Sequence, residues 1–153
     1  MLLNQKARGI RAFTLVEVAM AIAIMGVLFS GVIVSYVHTA RRTEWSGYSL
    51  AAQALAIQQL EQARSAKWDV LDTPVVDEVT NLPLVTATTL DIPISGTNRV
   101  IATNYVTLRT IMISSNPVVS VHLVRVDTVW PFTKGHSTVY FTNSVANYIS
   151  PDR

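Results

Sequence analysis

The 153-residue chain contains no cysteine, which excludes a structural disulfide, thiol catalysis and any thiolate metal site. Charged residues make up only 14% of it, and Phe13–Val37 holds a single one, Glu17. Its six glycines are isolated from one another, so no glycine-rich phosphate cradle can be built. No proline occurs between Phe13 and Lys67, so nothing in that stretch forces a helix to stop. The formal charge of +2 misleads, because Lys6, Arg8 and Arg11 lie in the first twelve residues. Without them nine basic residues face ten acidic ones. That balance gives no electrostatic footprint for nucleic acid, and none is expected as a partner.

What the chain does have is one long apolar run. Phe13–Val37 is 25 residues, and at ~1.5 Å per helical residue it crosses a hydrocarbon core of ~30 Å. Gly26 and Gly31 interrupt the run, which a bilayer helix tolerates. Lys6, Arg8 and Arg11 favour a cytoplasmic N-terminus, while Arg41 and Arg42 pull the other way and Glu44 partly offsets them. From His38 to Lys67 the composition is rich in Ala, Leu, Gln and Glu, which predicts that the helix continues. Leu50, Ala54, Ile57 and Trp68 fall near one face of it, but Glu61 and Arg64 share that face, so amphipathicity is imperfect, with a broad Ala surface elsewhere.

After Trp68, turn signals crowd together at Asp72-Thr73-Pro74, Asn81-Leu82-Pro83, Asp91-Ile92-Pro93 and Ser95-Gly96-Thr97-Asn98. Val, Ile and Thr then dominate, predicting strands over 99–114, 118–130 and 137–148. The first has a candidate break at Thr103–Asn104, and Pro131–Gly135 reads as a hairpin connection. Alternation in the last strand sets Val139, Phe141, Val145 and Ile149 on one face, the pattern of an antiparallel sheet covered on one side. The predicted fold is α+β: a long N-terminal helix packed on a small antiparallel sheet.

The leader and the apolar run meet at Arg8-Gly9-Ile10-Arg11-Ala12-Phe13-Thr14-Leu15-Val16-Glu17. A secretory signal is cut after its apolar core, whereas here the processing junction lies before it. This junction resembles the prepilin leader of type IV pilins and type II secretion pseudopilins. The likeness is close over Arg8–Val37 and extends as helix pattern to about Lys67. It implies that a prepilin peptidase cuts between Ala12 and Phe13 and that Phe13 is then N-methylated. The family prefers Gly before the cut, and this chain departs from it with Ala12. A carboxylate at bilayer depth costs about 2.5–3.5 kcal/mol on insertion scales. The family assigns the acid at the position of Glu17 to pairing with the new terminal amine, of its own or a neighbouring subunit, and so to subunit assembly.

The resemblance divides the chain into a leader (1–12), a transmembrane and assembly helix (13–37), a periplasmic continuation of that helix (38–68) and a β-rich head (69–153). It implies a single-pass protein of the bacterial inner membrane, with its head in the periplasm until it enters a helical filament. Its partners would be the prepilin peptidase, other pilin or pseudopilin subunits, an inner-membrane assembly platform and membrane lipid. A small, cysteine-free head favours a minor pseudopilin of a type II secretion-like system. A minor pilin of a pilus or DNA-uptake filament is the alternative. So is a single-pass anchored binding module. A secreted domain cut near Thr39–Ala40 fits the small-x-small rule poorly, with Val37 and His38 before it.

An enzyme is not expected, and no catalytic residue, cofactor or metal is assigned. His38, His122 and His136 lack metal-ligand spacing. Asp69, Asp72, Asp77 and Glu78 could offer oxygen ligands to calcium, as in some major pseudopilins, but match no EF-hand loop. They are expected to form a solvated acidic loop. Trp130 is expected to pack at the sheet edge.

Overall fold

The computed structural model describes residues 13–92, 99–115, 118–135 and 137–151. One helix, α1 (Leu15–Ser65, 51 residues), precedes six strands: β1 (Trp68–Asp69), β2 (Val76–Asp77), β3 (Val85–Thr89), β4 (Ile101–Ser115), β5 (Val118–Lys134) and β6 (Ser137–Ile149). The strands form an antiparallel β1–β2 pair and a four-stranded antiparallel sheet in the order β3-β4-β5-β6. Contacts divide the chain into one unit ending at Arg42 and a second running Thr43–Arg153. The architecture is the expected α+β one, a long helix with an antiparallel sheet.

In the first unit the apolar residues have no cover. Every residue from 13 to 42 is exposed, and the most apolar 18-residue window of α1, with mean hydropathy 2.4, has none of its surface buried. A helix apolar all round must lie in a core or in a bilayer, and here the described residues form no core around it.

In the second unit the C-terminal part of α1 covers one face of the sheet. Its buried residues are Ala52, Ala56, Gln59, Leu60 and Ala63, spaced three or four apart as one helical face requires. The face outlined by the larger apolar residues is not the covered one: Leu50 is 68% exposed, Ile57 is 46% exposed, and Ala54 is exposed too. Of the four residues near that face, only Trp68, beyond the helix, is buried. The reason is steric. Three alanines on the inward face let the helix backbone approach, and the sheet provides the bulk.

That bulk forms two apolar clusters. Near the C-terminal end of the helix, Ala56, Leu60 and Ala63 pack with Trp68, Val79, Val106, Val124, Val126 and Ile149. Nearer Thr43, Ala52 meets Leu90, Ala102 and the fully buried Trp130, flanked by Tyr48, Phe132 and Phe141. Trp130 stacks on Phe141 with ring centroids 5.1 Å apart, and Trp45 meets Phe141 edge-on at 5.7 Å. Aromatic pairs in these arrangements add to what burial alone provides. Trp130 lies on an inner strand, not at the sheet edge.

A polar relay ties helix to sheet inside this packing. The Trp130 Nε1–H donates to Asn143 Oδ1 at 2.7 Å, while Asn143 Nδ2 donates to Ser49 Oγ and Gln53 Oε1, each at 3.2 Å. Asn143 shares the inward face of β6 with Phe141 and Val145. Leaving the buried indole N–H without a partner would cost about 1–3 kcal/mol, so Asn143 fixes where Trp130 can sit.

Three further differences from the sequence reading have local causes. β4 runs unbroken through Thr103–Asn104, because the Asn104 side chain is buried and accepts a hydrogen bond from Thr128 Oγ1 at 2.6 Å. The irregularity in β4 is instead a register shift between Met112 and Ser114. Pro131 is inside β5, at a level where the β4 pairing has already ended at Thr103↔Val129. A residue without an N–H is tolerated where a strand is paired on one side only. The chain reverses later, at Gly135, whose φ of +67° is the left-handed conformation glycine accepts.

Ala56→Leu is therefore expected to lower the stability of the head by about 1–3 kcal/mol through overpacking, whereas Ile57→Ala stays within about 0.5 kcal/mol, as at other surface sites. Denaturant titration of the full chain in detergent, followed by tryptophan fluorescence, checks both. A larger loss for Ile57→Ala would contradict the assignment of the buried face.

Candidate assembly site

The helix begins at Leu15, which makes Thr14 its cap and Glu17 the third helical residue. The Thr14 backbone N–H donates to Glu17 Oε2 at 2.9 Å, and the Thr14 hydroxyl donates to the same oxygen at 3.0 Å. Glu17 N lies 3.3 Å from Thr14 Oγ1, completing the reciprocal arrangement of a capping box. The carboxylate is thereby turned toward the start of the helix, where it also meets the positive end of the helix dipole. Phe13, exposed, directly precedes the N–H that Glu17 accepts. Ala12 lies outside the described residues.

Sequence reading singled out Glu17 and passed over Thr14. The signal was present, since Ser or Thr followed three residues later by an acid and then an apolar run is a capping-box pattern. Residues 7–33 match the family model described as "Prokaryotic N-terminal methylation motif". That stretch carries the N-terminal methylation motif of type IV pilin-like proteins. The matched stretch spans the leader junction, the capping box and the first part of the unburied helix, and no other part of the chain. Neither the search of curated proteins nor the search of solved structures gives a match. The motif supports a pilin-like subunit that is processed by prepilin peptidase and assembles with other pilin subunits, and the apolar helix fits a single-pass membrane anchor.

The remaining candidates in this pilin-like chain resolve into structural contacts. His122 is buried, with Nε2 3.0 Å from Asp77 Oδ2 and Nδ1 3.0 Å from Thr110 Oγ1. Its ring stacks on Trp68 at a centroid separation of 4.0 Å. The contact fastens β2 to the long strands, so Asp77 belongs to a bonded pair and not to a solvated loop. Asp72 is exposed and accepts from Lys67 Nζ at 2.6 Å, with Asp69 3.9 Å from the same ammonium. The hydrogen bond and charge of Asp72 raise the Lys67 ammonium above its ordinary pKa. Glu78 accepts from the Lys67 backbone N–H at 3.1 Å. Among the described residues no three His, Asp or Glu side chains converge as metal ligands. His38 is exposed on the helix, and His136 lies outside the described residues.

The outer face of the sheet carries an Arg125–Asp127 ion pair at 2.9 Å, with the Ser144 hydroxyl also on Asp127. Beyond the ends of the neighbouring strands, the β4–β5 hairpin exposes Met112, Ile113 and Val118.

Thr14→Ala removes the hydroxyl that caps the helix, a loss typically worth about 1 kcal/mol. Amide hydrogen exchange at Glu17 and Val18 of the full chain in micelles should quicken by roughly fivefold, with no change near Ala56. Unaltered exchange at Glu17 would show that the box does not hold the helix start.

Proposed function

We propose that this chain is a minor pseudopilin of a type II secretion-like system. In this reading prepilin peptidase cuts between Ala12 and Phe13, and Phe13 is methylated. Residues 13–37 then hold the subunit in the inner membrane, residues 38–68 continue the helix into the periplasm, and 69–153 form the head. An assembly platform transfers the subunit from lipid into a helical filament. The observation that carries the reading is the continuity of the methylation motif with an apolar helix that finds no cover in its own chain. Lipid covers that helix before assembly, and the helices of neighbouring subunits cover it afterward. Gly26 and Gly31 permit those helices to approach closely. The small, cysteine-free head supports the minor subtype.

Glu17 is proposed to guide assembly. The capping box already aims its carboxylate at the helix start, where cleavage would place the ammonium of Phe13. An opposite charge arriving there is attracted strongly in a low-dielectric surrounding. Glu17→Ala is expected to leave membrane insertion intact and to lower incorporation into filaments by about tenfold, the factor set by about 1.4 kcal/mol. Complementation in the host, scored by membrane fractionation and filament content, tests this. Normal incorporation of the variant would sink the pairing role.

A further inference from the structure

We propose that the bare edge of β6 takes up β3 of a second copy, so that two heads join side by side in one antiparallel sheet. This rests on assembly between pilin-like subunits and names a contact for it within the head alone, for as few as two copies. Among the described residues β3 and β6 are the outer strands of the sheet. An outer strand presents unpaired N–H and C=O groups, which proteins usually blunt with charge, proline, a bulge or short length. β6 uses none of these. Its 13 residues include no Asp, Glu, Lys, Arg, Pro or Gly, and its pairing with β5 runs from Lys134↔Ser137 to His122↔Ile149 without a shift. The opposite side of the sheet is different. Where β4 outruns β3, it carries Arg109 and the shift between Met112 and Ser114. The uncharged part of that side is β3 itself, Val85–Thr89.

Hydrogen bonds decide which groups are free. Val106 N–H donates to Leu84 O at 2.8 Å, so Val106 turns its backbone toward the β3 side and away from Val126, its neighbour on β5. Alternate residues of an antiparallel strand bond to opposite sides, so Val126 bonds to Val145, its partner on β6. Odd-numbered residues of β6 thus face β5, and Thr138, Tyr140, Thr142, Ser144 and Ala146 turn their N–H and C=O outward. Tyr148 follows the same parity, but its N–H is taken by Asn147 Oδ1 at 2.9 Å. On β3, Leu84 and Leu90 bond toward β4, which leaves Val85, Ala87 and Thr89 facing out.

The two free rows suit each other. β4 and β6 are both antiparallel to β5, and β3 is antiparallel to β4, so β3 of a copy oriented alike runs antiparallel to β6. Neither strand carries charge, so no repulsion opposes the join. Val85 is 58% exposed and Tyr140 70% exposed, a β-branched and an aromatic side chain of the kinds that pair well across strands. A two-fold β6–β6 join would leave both β3 edges bare. Subunits of a helical filament also meet through unlike surfaces, as β6 and β3 are.

The test uses the full chain, whose lack of cysteine lets single thiols be introduced. Ala87→Cys, Thr142→Cys and Ile113→Cys variants are reconstituted singly or as mixtures in phosphatidylcholine vesicles and treated with a short bismaleimide. The mixture of Ala87→Cys with Thr142→Cys is expected to give about tenfold more cross-linked dimer than either variant alone, or than Ile113→Cys with Thr142→Cys. Adding Ser144→Pro to the Thr142→Cys chain removes an N–H that points away from β5, a position where an outer strand accepts proline. Ala146→Lys places a charge on the same edge. Each is expected to return the yield to that of the single variants while tryptophan emission stays unchanged. Equal yields from all combinations overturn the pairing, as does a full yield with both edge changes present. Dimer formed by Thr142→Cys alone at the level of the mixture overturns the head-to-tail join in favour of the two-fold one. The vesicles hold no assembly machinery, so a failed cross-link leaves the role of Glu17 in filament incorporation standing, and failed incorporation leaves the pairing standing.

Discussion

An apolar helix that its own chain leaves bare is the constraint on which the rest of this structure depends. An apolar stretch such as residues 13–37 calls for a non-aqueous surrounding, and all of it is exposed among the described residues. In the proposed reading the helix is tied to two environments outside the chain, lipid and other helices of the same kind. The head's β-sheet is a separate construction that borrows only the later turns of α1. It does so by presenting alanines to the sheet and leaving Leu50 and Ile57 outside.

At the other end of the helix, the same economy of groups recurs. Thr14 and Glu17 satisfy one another's backbone donors where the first turn would otherwise leave them open, which matters most where water is scarce. One carboxylate thus closes the helix start and stands beside the position at which processing would create a positive charge. A capping role and a pairing role are compatible, because both require Glu17 to point back toward the N-terminus.

Much of the fold was legible. The length of the apolar run Phe13–Val37, the absence of proline as far as Lys67 and the alternation of Val139, Phe141, Val145 and Ile149 each led to the element that forms. The buried helix face was not legible, because a hydrophobicity count favours Leu50 and Ile57 over Ala52 and Ala56. The bulk of the side chains across the interface, Trp130 by Ala52 and Trp68 with the sheet valines by Ala56, reverses that preference. Pro131 hid the last turns of β5, since its tolerance depends on where β4 stops pairing. The His122–Asp77 contact joins residues 45 positions apart, and no spacing rule reaches across that interval. At the assembly site Glu17 was conspicuous as a charge in an apolar run, while Thr14 was conspicuous only as part of a capping pattern.

Processing at the Ala12–Phe13 junction is the claim from which assembly follows, and intact mass with N-terminal fragmentation tests it most directly. The measurement is made on chain purified from membranes of its own host, with an active prepilin peptidase. A chain beginning at Phe13 and heavier by one methyl group is the predicted result. A chain beginning at Met1, or beyond Ala40, would contradict it.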